Sequence, residues 1–105
     1  MRHLKADVFR VLANPTRIHI IECLGGGEMT VSALVEAVGI GPANASQHLA
    51  ILRARGLVVN RRAGNQVLYS LRDPLIADVL ESMKVFLRSH LKEEMVKLAN
   101  LGGGA

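Results

Sequence analysis

Among its 105 residues the chain has one cysteine, Cys23. This excludes an internal disulfide framework and any zinc site built on paired thiolates, leaving a lone thiol or an intermolecular bond. Tryptophan is missing and the only aromatic residues are Phe9, Phe86 and Tyr69, although 50% of the chain is hydrophobic. A core must therefore be aliphatic, which favours packed helices. No apolar run approaches the length of a membrane span, and the first stretch, "MRHLKADVFR", is charged where a signal peptide would be apolar. A cytoplasmic location is the expectation. Acidic residues are absent from one contiguous third: residues 37–72 hold no Asp or Glu. The same third carries Arg53, Arg55, Arg61, Arg62 and Arg72, more positive charge than the net +4 of the whole chain. Such a segment is the electrostatic footprint of polyanion binding.

The length suits one domain, expected over residues 1–101, with "GGGA" at 102–105 as a disordered tail. Leu4, Val8, Val11 and Leu12 recur at helical spacing until Asn14 and Pro15 stop one helix and start another. The second helix, Pro15 to Leu24, turns Ile18, Ile20, Ile21 and Leu24 inward and ends at Gly25–Gly27. Thr30 is placed to cap a third helix, Val31 to Val38, and Gly39–Gly41 makes a tight turn into Pro42. From Pro42 to about Arg55 a fourth helix puts Ala45, Leu49 and Leu52 on one face. Gln47 sits opposite, with Asn44 and Ser46 at its sides and Ala43, Ala50 and Ala54 near it. Ile51, at the edge of that outer face, calls for cover from elsewhere in the fold.

After Leu57 the period shortens. "LVVNRR" and "QVLYSLR" read as two strands of a hairpin with a basic tip at "AGN". Asp73 and Pro74 then begin a long helix. Its stripe of Ile76, Leu80, Met83, Leu87, Leu91, Met95 and Leu98 exceeds what one small domain can cover and asks for a partner helix.

Small alanines around a polar centre let the fourth helix approach another surface closely. Gln47 and Asn44 could then bond adenine through two contacts, and Ser46 could serve either base type. The catalytic alternative fails on geometry: Ser46 and His48 are two residues apart on a helix and point different ways, so they cannot form a nucleophile–base pair. The glycine run likewise lacks the Lys and Ser/Thr of a phosphate-binding loop. No enzyme is expected.

Short helix, glycine turn, polar-faced helix and basic hairpin, in that order, describe a mainly α winged helix-turn-helix with a small β-hairpin, ααααββα, dimerising through its first and last helices. The segments "LANPTRIHIIECL", "SALVEAVGIGPANASQHLAILRARGLV" and "RRAGNQVLYSL" resemble the ArsR/SmtB family of bacterial repressors, and the likeness spans roughly Leu4 to Leu91. It implies a homodimer that represses transcription and leaves DNA when an effector arrives. It also puts Ser46, Gln47 and His48 on a recognition helix and Arg61, Arg62 and Asn65 on a wing. Arg53, near the end of the same helix, could hold a phosphate. Two copies would read a near-palindromic operator in double-stranded DNA.

The family's sensing sites are incomplete here. The cysteine pair on the third helix has no counterpart in "EMTVSAL". For the site between the paired last helices, His90 and Glu93 match one half, but the other half falls near Ala77 and Val79. No metal and no cofactor is expected. Cys23 matches one of the two cysteines of oxidant-sensing relatives and lacks the second, so any redox role would run through a sulfenic acid or an intermolecular bond. Two rival readings stand beside DNA-specific repression: a winged-helix interaction or dimerisation module without specific DNA binding, and a nucleoid-like binder with little sequence preference.

Overall fold

The computed structural model describes residues 1–103, with side chains through Asn100. The elements run α1 (Arg2–Leu12), α2 (Pro15–Leu24), β1 (Met29–Thr30), α3 (Val31–Val38), α4 (Pro42–Ala54), β2 (Val58–Ala63), β3 (Gln66–Leu71) and α5 (Leu75–Gly103). Helix starts follow the capping residues. The Asn14 side chain accepts from the Arg17 backbone N–H at 3.1 Å, ahead of Pro15. Thr30 Oγ1 accepts from the Ala33 N–H at 3.0 Å. Thr30→Ala should therefore cost about 1 kcal/mol of stability, a typical loss for a cap; an unchanged denaturation midpoint would show that this bond contributes nothing. Gly39, at φ +76°, closes α3 in the left-handed conformation that a Cβ disfavours, and the Val35 carbonyl accepts from both Gly39 and Ile40. This is the tight turn of the helix-turn-helix. After α2 the glycine run ends the helix as expected, with Gly25 still right-handed and the positive φ at Gly27.

The core is aliphatic. Val11, Leu12, Ile20, Ile21, Leu24, Leu34, Leu49, Leu52 and Val58 form one buried cluster, with Ile76 and Leu80 of α5 packed against it. Each fully buried Leu or Ile here contributes about 1.5–3 kcal/mol. Ala45 is also buried, so α4 turns the expected face inward. Ile51 stays 39% exposed and does not receive the expected cover.

The sheet has three strands rather than two, in the order β1-β3-β2, antiparallel throughout. Met29 and Thr30 pair with Tyr69 and Leu68. A two-residue strand shows no alternation in sequence; its pairing comes from tertiary placement. In the hairpin Ala63 faces Gln66 around Gly64 and Asn65. Gly64 has φ +63° and Asn65 a negative φ, the sign pattern of a type II′ turn.

Only the start of α5 rests on the core. Beyond it Met83, Phe86, Leu87, Leu91, Met95 and Leu98 are exposed, as are Leu4 and Phe9 of α1. The radius of gyration is 17.4 Å, against about 13 Å for a compact chain of this length. At 29 residues, α5 is about 43 Å long. The helix is described through Gly103, and the remainder of the tail expected from 102 lies outside the described residues. No described helix is long and apolar enough to cross a membrane.

Candidate nucleic-acid interface

Helix α4 supplies the reading face because its other side is committed to the core. With Ala45, Leu49 and Leu52 buried, Gln47 and Ala50 are held in solvent on the opposite side with Asn44 and Ser46 exposed at its flanks, and Arg53 is exposed one turn beyond Leu49. Such an orientation is fixed by packing rather than by the polar residues themselves. Asn65 is exposed at the hairpin tip beside Gly64.

His48 belongs to a different arrangement. It is half-buried, and its Nδ1 lies 3.3 Å from Arg17 Nη1. A guanidinium only donates, so the ring nitrogen is the acceptor. Arg17 Nε also donates to the Val11 carbonyl at 2.6 Å. Arg17 thus ties the end of α1 and the start of α2 to α4, a role that no local pattern in the sequence marks.

The five arginines of the acid-free segment divide once the chain is folded. Arg61 donates from Nε and Nη2 to the two carboxylate oxygens of Glu28 at 2.8 and 2.7 Å. Arg61 faces Leu68, which faces Thr30, so the guanidinium reaches across central strand β3 to the residue just before β1. These hydrogen bonds, with the charge of Arg61, hold the Glu28 carboxyl below the usual carboxylate range and raise the Arg61 pKa in turn. Glu28 is the depressed partner. The pair is therefore present at neutral pH and is lost as pH falls through that lowered value. Arg55 lies 3.8 Å from Asp7, which also accepts from Arg10 at 2.9 Å. Arg53, Arg62 and Arg72 have no carboxylate partner among the described residues. Sequence separation hid both acids: Asp7 and Glu28 lie far outside the segment whose charge they offset.

Cys23 is half-buried against the core. Burial pushes its thiol pKa up, and the charge of Glu22 adds to the effect, so the reactive thiolate is disfavoured. His90 stacks on Phe86 one helical turn away, with ring centroids 6.2 Å apart and planes within 1°. Among the described residues no cluster of His, Cys, Asp or Glu has the geometry to hold a metal ion.

An aliphatic helical core, a polar-faced second helix of the helix-turn-helix, and a basic wing together define a winged helix-turn-helix protein. A helix-turn-helix domain family matches residues 12–61. The chain is 38% identical over 102 residues to the HTH-type transcriptional regulator Rv0081 of Mycobacterium tuberculosis, spanning 96% of this chain and 90% of that one. The Rv0081 crystal structure is similar with a TM-score of 0.83, over 90% of this chain and 95% of that one. NmtR of the same organism, another HTH-type transcriptional regulator, is 37% identical over 82% of this chain and 71% of its own. A homodimeric winged helix-turn-helix DNA-binding domain of Mycobacterium bovis, Mb0332, is 32% identical with a TM-score of 0.79, over 87% of this chain and 84% of that one. The chain belongs to the ArsR/SmtB family of winged helix-turn-helix transcriptional regulators.

Proposed function

We propose that the protein is a cytoplasmic, homodimeric transcriptional repressor, not an enzyme, whose single domain over residues 1–101 reads a near-palindromic operator. The observation that carries this is the division of α4: its buried face locks the helix, leaving Asn44, Ser46 and Gln47 exposed beside a wing with an unpaired cation. These three residues address base edges in the major groove, while Arg62 and Asn65 approach the backbone or the adjacent minor groove. Arg61 acts mainly through Glu28, by bracing the wing, and His48 by holding α4 against Arg17. Cys23 is a packing residue in this reading. Selection of bound sites from random duplexes tests it. Recovery of a two-fold symmetric consensus supports the reading, and retention of all sequences alike would favour the nucleoid-like alternative.

The two wing arginines should separate in their salt dependence. Removing a phosphate contact flattens the plot of log affinity against log salt by about 0.9, so Arg62→Ala should lower the slope by about 1.8 in a dimer. Arg61→Ala should change it less, because Glu28 already neutralises that guanidinium. Equal slopes for wild type and Arg62→Ala would remove the wing from the interface.

A further inference from the structure

Two of the three arginines left without a carboxylate, Arg53 and Arg72, line the same cleft, about 280 Å³ in volume, with Val58, Val59 and Asn60. The cleft lies where the end of α4 meets the base of the wing. Arg53 comes from the last turn of α4 and Arg72 directly follows β3, two elements that the fold brings together through Val58. The backbone of Arg72 is fixed, its N–H donating to the Leu57 carbonyl at 3.1 Å. Its guanidinium lies over the turn after α4, where a Cβ on Gly56 would come within 3.5 Å of Arg72 Nη1. Neither guanidinium donates a hydrogen bond to any described protein acceptor. Asn60 is anchored through one amide contact, Nδ2 to the Tyr69 hydroxyl at 3.4 Å, and its second amide hydrogen is uncommitted.

Here two unneutralised cations with about ten N–H donors between them share a polar cleft, and the planar fork of each suits a tetrahedral oxyanion. Among the described residues no carboxylate fills it, although the fold delivers acids to both Arg55 and Arg61.

We propose that Arg53 and Arg72 together clamp one phosphate group per protomer, with Asn60 as a further donor. Where that phosphate belongs to the DNA backbone, the inference rests on the DNA-binding reading above. The same chemistry would take a free phosphate or phosphomonoester, so the test has two arms. In the first, the full chain and its Arg53→Gln, Arg72→Gln and doubly substituted variants are titrated with operator and with random duplex across a range of salt. Two guanidiniums on one phosphate count as one neutralised charge. The double variant should therefore flatten the salt slope by about 1.8 per dimer and not by about 3.6, with equal fold losses on both DNAs. In the second arm, inorganic phosphate is titrated into the DNA-free proteins while the arginine side-chain N–H resonances are followed. Saturable shifts in the wild type that either single substitution abolishes, with DNA slopes unchanged, would assign the clamp to a free phosphate. An additive slope loss near 3.6 would mean two separate phosphates and overturn the shared clamp. Unchanged slopes together with no saturable phosphate shift would also overturn it. A wild type that lacks salt-dependent DNA binding fails the DNA-binding reading alone, and the phosphate arm then decides the cleft by itself.

Discussion

The chain should sediment as a dimer at micromolar concentration, and Leu87→Glu should raise its dissociation constant at least about a hundredfold. The argument starts from what the fold leaves uncovered. Leu4 and Phe9 of α1 and Val79, Met83, Leu87 and Leu91 of α5 are all exposed. Between the two helices runs an apolar groove lined by Leu4, Val8, Phe9, Ile76 and Val79, among others, with Lys5 at its side. A second groove, with Phe9, Ile18, Val79, Leu80 and Met83, continues it along α5. A continuous apolar face of this length marks an interface, and a two-fold axis lets one copy's α1 and α5 cover the other's. Leu87 sits midway along the stripe and is 44% exposed. Each substitution alters both copies. Lost apolar burial then amounts to about 2 kcal/mol, and placing two carboxylates in the seam adds a desolvation cost of several kcal/mol. Because partner binding stabilises the folded form by mass action, the melting temperature of the wild type should rise with protein concentration and that of the variant should not. A wild type that runs as a folded monomer in sedimentation would refute the dimer.

Gln47→Ala should reduce discrimination between operator and scrambled DNA by about 1–3 kcal/mol, the worth of one bidentate base contact. Gln47 is uncharged and exposed, at the centre of the α4 face opposite Leu49. Its loss leaves the phosphate contacts and their salt dependence intact, so affinity for scrambled DNA should be nearly unchanged. Competition titrations with both duplexes at one salt concentration read the difference directly. Parallel weakening on the two DNAs would make Gln47 a positioning contact and shift the reading role to Asn44 and Ser46.

The helices were legible in the sequence because their signals are local: Asn14–Pro15, Thr30 and Gly39 each mark a boundary within a few residues of the groups they bond. The buried face of α4 followed from spacing alone. What escaped was everything set by long-range approach. Strand β1 exists because Tyr69 and Leu68 arrive beside Met29 and Thr30. Likewise, His48 and Arg17 are 31 residues apart, and Arg61 and Glu28 are 33 apart. The charge count over residues 37–72 overstated the free charge of that segment, since acids from α1 and from the loop before β1 fold back onto two of its arginines.

The order β1-β3-β2 leaves β2 with a free edge, six residues long, on which Val59 is 40% exposed. A bare strand edge with apolar side chains is a template for pairing between molecules. Here Arg62, which has no carboxylate partner among the described residues, sits in the second half of that edge, and joining two such edges would bring two unneutralised guanidinium groups together within a few residues. Wing charge therefore keeps hairpins of neighbouring molecules from zipping together in solution. Substituting Arg62 strips a gatekeeper from the strand as well as a cation from the wing, so colloidal stability and DNA affinity change together at one position.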